Sequence, residues 1–318
     1  SQIEGRLPEG SKVIVIEDLI STGSSSLKAV EALRAAGFDV IGMVASYTYG
    51  FPVAEEAFKE AGLKVVFDEK NANGEIATAN MIANNFVTEK VDMIYAIATS
   101  TAQAAAQSTD KIPVVFSAIT DPEAAGILKK NVTGISDRVN VKQQLELLLK
   151  LDSKIKKVGV IYNSSEQNSK VQVDDLKKAA SELGITIVEK SVTQVSEIPQ
   201  ASETLVKESD ALYLPTDNLV ASVVNLITEK AIKAKKIAFG AESAHVKGGA
   251  LITQGIDYYE MGKEAGKRAV DILKNGKNPS EITFKKMDLN DIVINSKTLA
   301  AIGISLPENI KSKAKTID

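Results

Sequence analysis

Two acidic residues followed by a turn of small hydroxyl residues form the most specific chemical pattern in this chain. Glu17 and Asp18 end the apolar run Val13–Ile16, and the turn Ser21–Ser26 leads into a helical pattern. The acids can accept hydrogen bonds from ribose hydroxyls, and backbone N–H groups at the start of a helix can hold a phosphate. The order therefore predicts a sugar-phosphate site, with contacts at Glu17, Asp18, Thr22, Gly23, Ser24, Ser25 and Ser26.

A second group of polar residues lies where predicted strands end further along the chain. These loops combine small hydroxyl residues with an acid or an amide. They stand at 99–101, 120–122, 136–137, 163–166, 216–218 and 254–257. Ligands of open α/β sheets bind beyond the carboxyl ends of the strands. Helix N-caps favour the same residue types and account for about half of them. The others, with no nucleophile–base pair among them, predict reversible binding of a small polar ligand rather than catalysis.

Apolar β-branched runs alternate with helical patterns along nearly the whole chain, which predicts the elements that must position these residues. We predict strands at 12–17, 40–46, 64–68, 93–98, 114–118, 157–162, 186–190, 211–215, 237–240 and 249–253. Helices are predicted at 24–36, 53–61, 78–87, 101–107, 141–149, 168–182, 198–208, 220–234 and 258–274. Continuous apolar strands with helices between them indicate parallel sheets covered on both faces. The fold class is therefore α/β, with two lobes that each hold a doubly wound, mostly parallel sheet.

The composition excludes several classes of protein. The chain has 318 residues, of which 44% are hydrophobic and 25% charged, as in ordinary soluble globular proteins. Its net charge of −3 provides no basic field for nucleic acid. The absence of cysteine excludes disulfides, thiolate zinc sites and a cysteine nucleophile. The single histidine, His245, is expected at the surface or in a loop, and we expect no metal and no cofactor.

No run reaches the roughly 18 apolar residues of a membrane span, and the first residues lack the charged-then-apolar pattern of a signal peptide. From the sequence as given we therefore expect a cytoplasmic chain.

Residues 2–66 resemble the last third of orotate phosphoribosyltransferases. The resemblance rests on Gln2–Gly5, on the strand, acids and turn of 13–27, and on the segment 41–62. In that family the turn binds phosphoribosyl pyrophosphate (PRPP), which implies the ribose and phosphate contacts named above. The family's hood, pyrophosphate loop and mobile lysine- and histidine-bearing loop lie upstream of this segment. Without them the pyrophosphate leaving group lacks electrostatic stabilisation, so we expect no transferase activity.

Residues 69–318 resemble the substrate-binding proteins of ABC transporters, in the group assigned to tryptophan, tyrosine and related solutes. The matching segments are 71–75, 92–103, 112–126, 131–137, 159–169, 215–218 and 255–259. The resemblance implies a type I periplasmic-binding-protein-like fold in which hinge closure holds a small solute, an amino acid by family, in an interlobe cleft. It also implies delivery to an ABC permease and an extracytoplasmic or lipid-anchored location. The implied ligand contacts are Thr99, Ser100, Thr120, Asp121, Asn163, Ser165, Glu166, Asp217 and Asp257.

The two resemblances meet near Val66–Asn71, which indicates a chimera. The binding-protein family opens with a strand, a loop containing Glu-His-Pro and a helix, and the transferase-like segment stands in their place. The predicted strand Val40–Ser46 would then supply the missing first strand. We predict an extra strand–helix unit at 1–38, a first lobe at 39–138 plus about 252–276, and a second lobe at 139–251 plus about 277–318.

The position of the predicted strand Lys12–Glu17 stays open at this point. It can add at a sheet edge, displace another strand or swap into a second molecule, and the last case would produce a homodimer. Three functional hypotheses also stay open. The chain can capture an amino acid, bind PRPP, phosphate or sulfate without turnover, or be an engineered fold chimera that retains no activity.

Overall fold

The computed structural model describes residues 12–13, 39–40, 43–45, 68–256, 258–288 and 292–317. The strands are β1 (Lys12–Val13), β2 (Asp39–Val40), β3 (Met43–Ala45), β4 (Glu69–Asn71), β5 (Ile94–Ile97), β6 (Val114–Ile119), β7 (Val132–Ser136), β8 (Lys157–Asn163), β9 (Thr186–Val192), β10 (Ala211–Leu214), β11 (Ala238–Gly240), β12 (Ile252–Gln254), β13 (Lys285–Lys286), β14 (Ile292–Asn295) and β15 (Ala314–Ile317).

The α-helices alternate with these strands, as the sequence predicts for an α/β fold. They are α1 (Ile76–Glu89), α2 (Thr99–Ser108), α3 (Val141–Leu151), α4 (Gln167–Leu183), α5 (Ile198–Glu208), α6 (Asn218–Ser222), α7 (Val224–Lys233), α8 (Ser243–Lys247), α9 (Tyr258–Leu273), α10 (Ser296–Ile302) and α11 (Glu308–Lys311). Two 3-10 turns occur at Val195–Glu197 and Pro279–Glu281. No helix among the described residues is long and apolar enough to cross a membrane.

The chain divides into two compact units. Unit 1 contains the described residues up to Asp137 together with Tyr258–Met287, and unit 2 contains the described residues of Arg138–Asp257 and Asp288–Asp318. We predicted that the chain returns to the first lobe at about residue 252 and leaves it at about residue 277, whereas unit 1 resumes at Tyr258 and ends at Met287. Residues 252–254 belong to unit 2 because β12 pairs with β11 and β14 of that unit.

Unit 1 is built on a six-stranded parallel sheet with the order β13-β7-β6-β5-β3-β4. The strands β5 and β6 are almost fully buried, and α2 packs beside them through an alanine-rich face. The strands β6 and β7 approach closely at Gly134, where an added Cβ would lie 2.1 Å from the carbonyl oxygen of Phe116. A residue without a side chain is therefore required in the middle of this sheet.

The described transferase-like strands lie in two different sheets. The predicted strand Val40–Ser46 is divided, because Asp39–Val40 pairs with Lys12–Val13 in a separate two-stranded sheet and Met43–Ala45 enters the six-stranded sheet. There β3 lies between β4 and β5. The segment 43–45 is therefore an interior strand of this sheet.

Unit 2 holds a seven-stranded sheet with the order β15-β14-β12-β11-β10-β8-β9. Its strands are parallel except that β12 and β14 run antiparallel. The core beside α5 and α7 is aliphatic, with Leu205, Leu214 and Ile227 fully buried. The segment Ile292–Asn295 belongs to this sheet as β14 and lies between β12 and β15.

Several element predictions are confirmed and others need correction. The helix at 198–208 is confirmed, and Gly184 ends α4 in the left-handed conformation with φ 68°, which is usual for a C-cap glycine. The predicted helix 220–234 is wrong as a single element, because Val223, with φ −135°, breaks it into α6 and α7. The predicted helices 24–36 and 53–61 lie outside the described residues.

Candidate functional site

The first turn of α2 presents hydrogen-bond donors at the carboxyl end of β5 in unit 1. Its N-cap residue is Ala98, so no side chain caps the helix, whereas Asn140 caps α3 by accepting from Gln143 N. Thr99 is 3% exposed, and its hydroxyl has no hydrogen-bond partner among the described residues. Uncapped N–H groups and a buried hydroxyl at a helix N-terminus favour an anion. Ser100, the next residue, is half-buried.

The backbone before this turn is strained. Ala98 has φ 72° and ψ 157°, a region that residues other than glycine rarely occupy. Its N–H donates to the carbonyl of Ser117 at 3.1 Å, and its own carbonyl accepts from Ala102 N. These two bonds hold the strained residue in place, and the strained backbone leads directly into Thr99.

A buried carboxylate lies at the carboxyl end of β7 in the same unit. Asp137 is 2% exposed, and it accepts from the Thr120 hydroxyl at 3.4 Å and from the Tyr258 hydroxyl at 3.0 Å. Burial raises the pKa of Asp137 to about 6, although both hydroxyls oppose the shift. The group is therefore an ionisable acceptor that titrates just below neutral pH, and its charge would be stabilised by a cationic partner.

Asp121 has a local structural role as well as its predicted one. Its Oδ1 accepts from the N–H groups of Glu123 and Ala124, each at 3.0 Å, and so caps the turn that follows. The side chain of Gln103 donates to the carbonyl of Ala125 at 3.0 Å and ties this turn to α2. The loop after β6 is thus fixed against the helix after β5.

A bulge in β6 shapes the approach to Thr120. The register with β7 shifts between Phe116 and Ile119, and Ala118 has φ 54°. The N–H of Ala118 donates to the sulfur of Met261 at 3.2 Å instead of to a neighbouring strand. Bulges reorient the residues that follow them, so this one sets the direction in which the loop at Thr120 leaves the sheet.

In unit 2 the predicted contacts Asn163, Glu166 and Asp217 are brought together by hydrogen bonds. Asn163 donates from Nδ2 to Glu166 at 3.1 Å, and its backbone N–H donates to Asp217 at 2.6 Å. Ser165 is exposed, with its N–H directed to Asn163 Oδ1 at 2.9 Å. Asp217 is 1% exposed, and burial first and the charge of Glu166 second raise its pKa well above the ordinary value.

The remaining predicted contacts lie outside the described residues. They are Asp257 and the whole ribose-phosphate set, Glu17, Asp18, Thr22, Gly23, Ser24, Ser25 and Ser26. Sequence reasoning did not select Asp137 as a contact, although the pair Ser136-Asp137 belongs to the post-strand pattern. It also missed Ser169, which donates to Asp217 at 2.6 Å, because a serine inside a helix carries no such signal.

A comparison with known families decides the identity of this fold. The family model described as "ABC transporter substrate binding protein" matches residues 50–317. The chain belongs to this family.

Two relatives support the assignment of this substrate-binding protein. It is 40% identical over 265 residues to the tyrosine-binding protein of Clostridioides difficile (strain R20291), with 81% of this chain and 76% of that protein covered. A structure described as an ABC domain in complex with L-Trp from Streptococcus pneumonia superposes with a TM-score of 0.82 at 28% identity, covering 98% of this chain and 100% of that one. The predicted two-lobed binding-protein fold class is confirmed.

The predicted resemblance of one segment of this substrate-binding protein to orotate phosphoribosyltransferases is also confirmed. The orotate phosphoribosyltransferase of Bacteroides thetaiotaomicron is 72% identical over 64 residues, which are 20% of this chain and 30% of that enzyme. The match covers less than a third of the enzyme. The binding-protein family consists of extracytoplasmic solute-binding proteins and not of enzymes.

No group of three or more histidine, cysteine or acidic residues that could hold a metal occurs among the described residues of the binding protein. His245 was expected at the surface or in a loop, and this expectation is wrong. It lies in α8, fully buried, and burial lowers its pKa to about 4 although the carbonyl of Leu214 opposes the shift. Its Nε2 lies 3.3 Å from Glu242 Oε1, so the neutral imidazole belongs to the polar core of unit 2.

Proposed function

We propose that this protein captures an L-amino acid and presents it to an ABC permease outside the cytoplasm. The observation that carries the proposal is that unit 1 combines, at the same sheet edge, an uncapped helix N-terminus at Thr99 and a buried carboxylate at Asp137. The first favours an anionic group and the second a cationic group. A zwitterion supplies both.

We propose Thr99 and Ser100 as donors to the ligand carboxylate, and Asp137 with Thr120 as acceptors for its ammonium group. Asp121, Asn163, Ser165 and Asp257 are proposed as further contacts, in agreement with the family resemblance. The relatives described as a tyrosine-binding protein and as a complex with L-Trp make aromatic amino acids the first ligands to test.

Isothermal titration of the purified chain with L-tyrosine and L-tryptophan tests this function. Tyramine, which lacks the carboxylate, is the matched control ligand. We expect saturable binding of at least one amino acid and much weaker binding of tyramine. A folded sample that binds no amino acid would contradict the proposal and support a fold chimera without retained activity.

A second candidate function rests on the transferase-like segment. The 72% identity to an orotate phosphoribosyltransferase over 64 residues favours retained binding of phosphate, sulfate or PRPP at Ser21–Ser26 without turnover. We expect PRPP to raise the melting temperature of the chain, and Thr22→Ala to abolish the effect. Orotate turnover in the presence of PRPP would contradict binding without catalysis.

We also propose that the chain forms a homodimer through its transferase-like strands. The proposal is supported by the separate two-stranded sheet of β1 and β2, which is a short parallel pair outside the six-stranded sheet. Multi-angle light scattering after size exclusion tests it, with twice the 33.9 kDa chain mass expected. A monomer at all concentrations would exclude the dimer.

A further inference from the structure

Both carboxylate oxygens of Glu166 are fully engaged inside unit 2. Oε1 accepts from Asn163 Nδ2 at 3.1 Å and from Leu219 N at 3.2 Å. Oε2 accepts from Asn168 Nδ2 at 3.1 Å and from the N–H and Nδ2 of Asn218 at 3.0 and 2.6 Å. A carboxylate has about four lone-pair sites, so these donors saturate it. No acceptor capacity is left for the ammonium group of a ligand.

Asp217 makes the reciprocal connection. Glu166 lies in the loop after β8 and reaches the start of α6, whereas Asp217 lies in the loop after β10 and reaches the end of β8. Its Oδ2 accepts from Asn163 N and from Ser169 Oγ, each at 2.6 Å, and its Oδ1 accepts from Val220 N at 2.8 Å. Each loop therefore holds the other through a buried or half-buried carboxylate.

Three backbone amides at the start of α6 donate to these two carboxylates. Asn218 N and Leu219 N donate to Glu166, and Val220 N donates to Asp217. Two carboxylates at one helix N-terminus are favourable for the helix, but they leave no amide for a ligand anion there. The uncapped start of α2 in unit 1 offers such amides, and α6 does not.

We infer that Glu166 and Asp217 are positioning residues that lock the loops after β8 and β10 together, and that they do not contact the ligand. The inference rests on the proposed function and deepens it, because it assigns the ligand's charged groups to unit 1. Asn163 and Ser165 stay only proposed contacts of these loops, because neither has its side chain saturated by hydrogen bonds as Glu166 has. Loss of the lock weakens binding by releasing the loops from one arrangement, whatever group the ligand carries.

Hydrogen exchange of the ligand-free protein tests the lock directly. In Glu166→Gln, an amide group replaces one acceptor oxygen and faces donors, so we expect exchange at residues 163–166 and 216–220 to accelerate about tenfold. Glu203→Gln is the matched control, because Glu203 is an exposed residue of α5 that pairs with Lys207. Unchanged exchange in both loops of Glu166→Gln would overturn the inference.

Calorimetry then separates positioning from direct contact. We expect Glu166→Gln to weaken the binding of L-tyrosine and of its des-amino analogue, 3-(4-hydroxyphenyl)propionate, by the same factor, about tenfold. Asp137→Asn should instead weaken the binding of L-tyrosine far more than that of the analogue. The analogue is measured by competition against L-tyrosine so that weak binding is quantified. A loss in Glu166→Gln that is confined to L-tyrosine would show direct contact with the ammonium group and overturn the inference.

A second variant tests the inference if Glu166→Gln does not fold. Asn218→Ala removes one side-chain donor to Glu166 from the opposite loop, and we expect a smaller acceleration of exchange over the same residues, with the melting temperature nearly unchanged. If the wild type binds neither L-tyrosine nor L-tryptophan, the proposed function fails. The exchange experiment still decides the lock in that case, so the two failures are distinguishable.

Discussion

Asp137 is 2% exposed, so loss of hydration disfavours its ionised form, and the hydroxyls of Thr120 and Tyr258 offset part of that penalty. An unfolded chain hydrates the same carboxylate fully. The native state therefore holds a proton more tightly than the unfolded state between the ordinary pKa of 3.8 and the raised pKa of about 6. This residue therefore destabilises the fold at neutral pH.

The variant Asp137→Asn should reveal this destabilisation through its pH dependence. The stability provided by the protonated wild-type group is fully present below pH 3.8 and is lost as the pH rises through about 6. We therefore expect the variant's free energy of unfolding, relative to wild type, to increase by about 2–3 kcal/mol from pH 4 to pH 7.5. Urea unfolding at a series of pH values measures it, and a pH-independent difference would contradict the assignment.

Ligand affinity should also depend on the protonation of Asp137. It should rise with pH, whereas the stability of the wild type falls. In the proposed function an ammonium group pairs with ionised Asp137, so binding below pH 6 would displace a proton. We expect the Kd for L-tyrosine to rise about tenfold from pH 7.5 to pH 5. Asp137→Asn should bind weakly with a Kd that is flat over this range. A flat profile for the wild type would show that Asp137 does not face the ammonium group.

At the scale of elements, the sequence predicted the strands that consist of long apolar runs. β6 and β8 are close to their predicted bounds because each is buried on both faces by helices. β13 could not be predicted, since its two residues are exposed lysines that pair with β7 through the backbone alone. β7 itself contains Thr133 and Gly134, which weakened its apolar signal.

The close approach of β6 and β7 makes Gly134→Ala a sharp test of this sheet. The added Cβ would lie 2.1 Å from Phe116 O, a contact that requires backbone displacement. We expect the free energy of unfolding to fall by about 2–3 kcal/mol. Gly262→Ala in α9 is the control, because nothing lies within 4 Å of its added Cβ. The control should gain about 0.5–1 kcal/mol, and equal effects of the two substitutions would refute this packing.

At the scale of the whole molecule, the chimeric origin and the α/β class were predictable because both depend on long, ordered segments of sequence. The roles of Glu166 and Asp217 were not, because a post-strand acid looks the same whether it faces a ligand or a neighbouring loop. That distinction depends on tertiary contacts with Asn218 and Ser169, which lie 52 and 48 residues away along the chain. The position of β3 between β4 and β5 likewise depends on long-range strand pairing, which the residues of β3 alone do not specify.

Two truncations test how the transferase-like segment is integrated. Among the described residues, β1 and β2 pair only with each other, whereas β3 pairs with both β4 and β5. We expect a chain that begins at residue 41 to unfold cooperatively and to bind L-tyrosine within about twofold of the full chain, because the six-stranded sheet stays complete.

A chain that begins at residue 68 lacks β3, so β4 loses its partner and β5 loses one neighbour. That chain should lose cooperative thermal unfolding of unit 1, followed by circular dichroism, and should lose binding with it. Equal stability of the two truncations would show that the transplanted strand adds nothing to the sheet, and that unit 1 folds without its first position filled.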